Sequence, residues 1–148
     1  MKFIIYEEDK SVTVVSPAYS LCVDEENIED FLNKIALKVI PKGLSYFFIE
    51  NTEMPTLFRE AWKISEEKII IDMEKAREIK MNEIRELRSA KLAELDIEEL
   101  KVMRKKDKIQ LDELYIKKER LCDLPATYDL LQFVLAEELA EALPEELA

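Results

Sequence analysis

The chain has 148 residues, 48% of them hydrophobic and 37% charged, with a formal net charge of −11, one Gly and no His. That charge opposes nucleic acid and anionic membrane surfaces, which both recruit clustered Lys and Arg, so neither is expected as a partner. The missing His removes the commonest general base and metal ligand, and the scarcity of Gly argues against phosphate cradles and turn-rich β folds.

Residues Lys2–Tyr6 and Ser11–Ser16 are rich in Ile and Val around an acidic turn, Glu7-Glu8-Asp9-Lys10. They predict two strands of a hairpin. The apolar run at the start is too short for a signal peptide and turns acidic at once, and no run approaches the roughly 20 apolar residues of a membrane span. The expected location is therefore the cytoplasm of the producing cell, or a larger particle that leaves it. Asp24-Glu25-Glu26 precedes Ile28, Phe31, Leu32, Ile35 and Ala36, whose spacing puts them on one helical face. The acids suit the positive end of the helix dipole. The same cluster, with Glu29 and Asp30, invites a calcium reading, but it lacks the Gly-containing ligand loop.

Pro41-Lys42-Gly43 stops that helix and leads into a strand, Leu44–Ile49. After a loop over Asn51–Pro55, Phe58–Ile64 and Lys68–Ile71 predict a second hairpin around Ser65-Glu66-Glu67. Asp72 is a good N-cap, and no Gly or Pro interrupts the helix expected from Met73 to about Met103. The charged interval Arg104-Lys105-Lys106-Asp107-Lys108 marks a bend or a hairpin turn. A further helix is expected from about Ile109 to Cys122, ended by Pro125. A short amphipathic helix closing at Pro144, with frayed residues beyond it, completes the chain. The fold class is thus α+β. A small strand-rich head with one helix covers residues 1–71. A long broken helix or helical hairpin and a short C-terminal helix cover 72–148.

Two apolar series recur at eight-residue intervals: Ala76, Ile84, Leu92, Leu100 and Ile79, Leu87, Leu95, Met103. Each step overshoots two turns by about 80°, which does not suit a left-handed coiled coil. A helix packed by several neighbours is expected instead. Residues 72–124 balance 14 acids against 14 bases, with Glu113 and Lys117 placed as an i,i+4 pair, whereas 125–148 carry 6 acids and no base.

No Cys or His spacing suggests a metal, no phosphate loop is present, and Cys22 and Cys122 read as isolated buried thiols or as a pair. No catalytic, cofactor-binding or metal-binding residue is assigned, and no cofactor is expected. Phe58, Arg59 and Trp62 are types favoured at interface centres, although the aromatics equally suit the head's core. Together with Ile84, Leu87, Leu92, Leu95 and Leu100 they are the candidate partner-binding residues.

Lys38–Tyr46 with its Pro41-Lys42-Gly43 turn, Met54-Pro55 before Phe58-Arg59-Glu60-Ala61-Trp62, and Ile71-Asp72-Met73-Glu74-Lys75-Ala76-Arg77 follow one another at telling intervals. Leu121-Cys122-Asp123-Leu124-Pro125, Thr127-Tyr128-Asp129-Leu130 and a closing Glu137-Glu138-Leu139 and Pro144 come later. In this order they resemble small tail-associated proteins of phages and prophages, over about residues 38–148. Thr56-Leu57, Lys80 and Lys106 depart from that pattern. The resemblance implies a non-enzymatic structural component of the virion tail, made in the host bacterial cytoplasm and binding fibre or baseplate chains and copies of itself as a homo-oligomer. The layout is also similar to that of tail fibre assembly proteins, which implies a chaperone as the alternative. An enzyme using paired carboxylates is the reading from a different class, since the chain has 33 acidic residues.

Overall fold

The computed structural model describes residues 1–23 and 27–148 and shows an α+β fold with 59% helix and 17% strand. Two compact units divide the chain, Met1–Asp72 and Met73–Ala148. The helix-start and calcium readings of Asp24, Glu25 and Glu26 lie outside the described residues; Asn27 supplies the N-cap, its side chain accepting from Glu29 N at 3.0 Å.

In the first unit, strands β1 (Lys2–Glu8), β2 (Ser11–Val15) and β3 (Tyr46–Glu50) form an antiparallel sheet in the order β2-β1-β3. Alternation sends neighbouring side chains to opposite faces. On one face, Ile4 with its cross-strand partners Val15 and Phe48 meets Phe31, Leu32 and Ala36 of helix α1 (Ile28–Val39). On the other, Ile5, Val12 and Ile49 meet Ile69, Trp62 and Ile64 of the hairpin β4 (Trp62–Ser65) and β5 (Lys68–Ile71). Ile4, Ile5 and Leu32 are fully buried, each contributing about 1.5–3 kcal/mol. Tyr46 Oη donates to Asn33 Oδ1 at 2.7 Å and ties β3 to α1.

Both hairpins turn through two residues at positive φ, Asp9-Lys10 (50° and 62°) and Glu66-Glu67 (50° and 57°). These angles match the right-handed twist of the strands they join. The strand expected over Phe58–Ile64 is shorter than predicted. Phe58 has φ of 50°, Arg59–Ala61 is a turn of 3-10 helix, and β4 starts only at Trp62. A left-handed residue followed by the Ala61 N to Phe58 O bond of 2.8 Å cannot continue a ladder.

In the second unit, helix α2 (Met73–Lys105) and helix α3 (Lys108–Thr127) form an antiparallel hairpin. Lys106 sits at φ 55°, and the Asp107 side chain caps α3 by accepting from Gln110 N at 3.2 Å. The charged interval is therefore a hairpin turn. Pro125 does not end α3, as expected, but lies inside its last turn. So near the end it forfeits one intrahelical bond, and buried Leu121 and Leu124 hold the turn, with Tyr128 N donating to Leu124 O at 2.9 Å. The tail is only partly helical: helix α4 covers Ala136–Glu141, Leu130–Gln132 and Glu145–Leu147 are 3-10 turns, and Pro144 is buried rather than followed by a frayed end. Among the described residues no helix is long and apolar enough to cross a membrane.

Candidate interaction surfaces

The group Phe58, Arg59 and Trp62 is built into the head. The Arg59 guanidinium stacks 4.5 Å from the Trp62 ring centroid, and its Nη2 donates to Val12 O at 2.6 Å. Trp62 Nε1 donates to Leu57 O at 2.8 Å. Half-buried Trp62 packs on the core beneath the second hairpin, so Arg59 ties this segment to β2 while Trp62 ties the start of β4 to the loop before it. Phe58 is half-buried in the left-handed region, where a bulky residue is strained by about 1–3 kcal/mol.

In the helical unit the intrachain seam does not follow eight-residue steps. Its α2 side runs through Ala76, Lys80 and Ile84, then through Arg88, Leu95 and Val102 at intervals of seven. On α3 it runs through Leu111, Leu114, Lys118, Leu121 and Pro125, alternating three and four residues, and Tyr128 follows just past the helix end. That is the 3.5-residue period of antiparallel packed helices. Charged residues complete it. Lys118 Nζ is 2.5 Å from Asp96 and also bonds Glu99 across the hairpin. Hydrogen bonds to Asp96 and then Glu99 raise the Lys118 pKa above the ordinary lysine range. Arg88 Nη1 donates to Cys122 O at 3.3 Å. Lys91 pairs with Glu94 at 3.7 Å, whereas Glu113 and Lys117, expected to pair, do not.

The tail is held on the first half of α2 by cations bonding main-chain oxygens. Arg77 Nε and Nη2 donate to Leu130 O at 3.3 Å and Phe133 O at 3.0 Å. Lys80 Nζ, 5% exposed as a residue, donates to Ala140 O at 2.8 Å and pairs with Glu83 at 3.2 Å. Burial raises the Tyr128 phenol pKa, and Glu146 adds to the shift.

These contacts sort the sequence candidates. Ile84 and Leu95 lie in the intrachain seam, Leu92 is half-buried at its edge, Leu87 is 43% exposed and Leu100 is 60% exposed. Two residues along a helix are about 200° apart, so Leu100 points away from Val102 and Ile97 away from Leu95. Ala90, Ala93, Ile97 and Leu100 therefore form an outward stripe, all exposed. Ile97, the centre of that stripe, is absent from the sequence candidates because it belongs to neither eight-residue series. A groove of about 430 Å³ opens between the helices and the chain end, lined by Lys91, Glu98, Lys117, Arg120, Glu145 and Glu146 over Leu95 and Leu121. Both thiols are free, Cys22 half-buried and Cys122 exposed, the latter against the expectation of burial. Among the described residues no group of three or more acids and thiols is placed to hold a metal ion.

Comparisons with protein-family models, with curated proteins and with solved structures gave no match.

Proposed function

We propose that this chain is a bacteriophage or prophage tail-associated structural protein that binds other tail chains, of the fibre or the baseplate, through its helical unit and head. The observation that carries the binding role is the outward stripe of α2. Ile97 and Leu100 are 58% and 60% exposed in the last third of a helix whose opposite side is already packed. A helix with a second apolar line at heptad spacing is fitted to receive another helix or strand surface. The order of motifs from Lys38 to Pro144 supplies the tail context. A tail fibre assembly chaperone is the second reading, favoured by the strand-rich head followed by helices.

The test is mass spectrometry of purified particles, together with capture of fibre and baseplate chains by the wild type and by Ile97→Glu/Leu100→Glu. Presence in mature particles and loss of capture by the double variant are expected. A chain absent from particles yet required for fibre solubility is the chaperone. A folded wild-type chain that captures no tail component overturns both readings.

A further inference from the structure

The helical unit is chemically polar from end to end. At the hairpin tip, Lys101, Arg104, Lys105, Lys106 and Lys108 stand against the single acid Asp107. None of these five cations forms an ion pair among the described residues. Met103 and Ile109 are 52% and 75% exposed there, beside a notch of about 210 Å³ floored by Val102 and Leu111. At the other end, the tail from Asp129 onward carries six acids and no cation. Its Leu131 and Val134 are each 71% exposed and Leu135 56%. Leu131 lies in the 3-10 turn Leu130–Gln132 and Val134 just past it, both exposed, while the carbonyls of Leu130 and Phe133 turn inward to Arg77 of α2.

The two surfaces are opposite in sign and both carry exposed apolar side chains, but one copy cannot join them. The tail is fixed at Arg77 and Lys80, and from Lys80 to Met103 a helix rises about 35 Å. The paired helix α3 stiffens that span. We infer that the basic tip of one copy docks on the acidic, apolar tail of a second copy, with Leu131 or Val134 entering the tip notch. Such a contact joins two different patches. It either closes reciprocally as an antiparallel two-fold pair or repeats head to tail as a ring or a filament. Opposite charges steer the encounter and set register, and salt weakens it. The contact uses neither Ile97 nor Leu100, so it goes beyond the binding role proposed above and stands apart from it.

Sedimentation velocity of the full chain over a concentration series at low salt tests this. Wild type is expected to form dimers or larger species that dissociate as salt rises. A tip variant, Lys105→Glu/Lys108→Glu, and a tail variant, Glu137→Lys/Glu138→Lys, should each weaken self-association by roughly tenfold or more. The decisive sample is an equimolar mixture of the tip variant with Leu131→Ser/Val134→Ser. Each has one intact end, so the mixture should yield a one-to-one dimer and nothing larger. Far-UV circular dichroism checks that each variant is folded, and the mixing result does not depend on any one substitution. A wild type that stays monomeric at low salt, folded variants that assemble like wild type, or a mixture that fails to pair each overturns the inference.

Discussion

Replacing Lys80 by Met separates the charge of this side chain from its bulk. The side chain is 6% exposed, and its ammonium holds the Ala140 carbonyl at 2.8 Å and Glu83 at 3.2 Å. Met keeps the length and most of the apolar volume, so little cavity is created. A hydrogen bond from a charged donor is worth about 1.5–3 kcal/mol, and a buried carbonyl left unpaired is penalised by about 1–3 kcal/mol. These describe one lost contact and are not added. Glu83 is 55% exposed, so its pairing adds only a few tenths of a kcal/mol. Relief from desolvating the ammonium acts the other way. The net loss should be about 1–2 kcal/mol, felt where α4 opens from α2. Amide hydrogen exchange reads this directly: protection of Leu139, Ala140 and Ala142 should fall by a factor of roughly 5–30, with the amides of Leu114 and Leu121 little changed. Unchanged tail exchange in a folded Lys80→Met protein refutes the reasoning.

Other perturbations separate the seam from the outward stripe and probe the turns. Ile84→Ala should destabilise the helical unit by about 2–5 kcal/mol, whereas Ile97→Ala should stay within about 0.5 kcal/mol; urea denaturation compares them. Lys118 and Tyr128 both have pKa values raised in the folded state. Their contribution is therefore fully present below about pH 10 and lost as pH rises above it. Thermal melts should fall at alkaline pH, and Tyr128→Phe should flatten part of that fall. Glu66→Asn/Glu67→Gly should raise the melting temperature of the head, because a left-handed residue with a Cβ is strained by about 1–2 kcal/mol and these types relieve it. Arg59→Ala should loosen the second hairpin, seen as faster exchange of the Lys63 and Ile70 amides, which form a hydrogen-bonded pair of that ladder.

The head was legible because its signals are local. Alternating Ile and Val, an acidic four-residue turn that proved two residues shorter, and a three-four apolar spacing marked β1, β2 and α1 within a few residues of their observed limits. Phe58 was not legible, since nothing in its residue type calls for positive φ; contacts from Arg59 and Trp62 to other segments impose it. On α2 the eight-residue series did what its geometry requires. Ala76 and Ile84 face the seam, Leu92 reaches its edge and Leu100 emerges on the far side, each step advancing by about 80°. Counting apolar residues alone concealed the seven-residue seam, because Arg88, Glu99 and Lys118 occupy positions a coiled coil usually gives to aliphatic side chains.

The placement of the tail follows from the same substitution of charge for hydrocarbon. Arg77, Lys80 and Arg88 lie on one side of α2, at intervals of three and eight residues that also carry Ile84. Their acceptors across the packing are carbonyls of Leu130, Phe133, Ala140 and Cys122, and only Lys80 adds a carboxylate, that of Glu83 one turn along α2. A charge count cannot register such bonds, since main-chain oxygens appear in every residue, and the even balance of 72–124 suggested only a solvated surface. The acids of α4 thus remain outside the tail's own docking contact. Cations satisfy the backbone while Glu137, Glu138 and Glu141 keep facing outward, exposed beside Leu131, Val134 and Leu135. Holding the tail by its backbone is what leaves its charged and apolar side chains available to another chain.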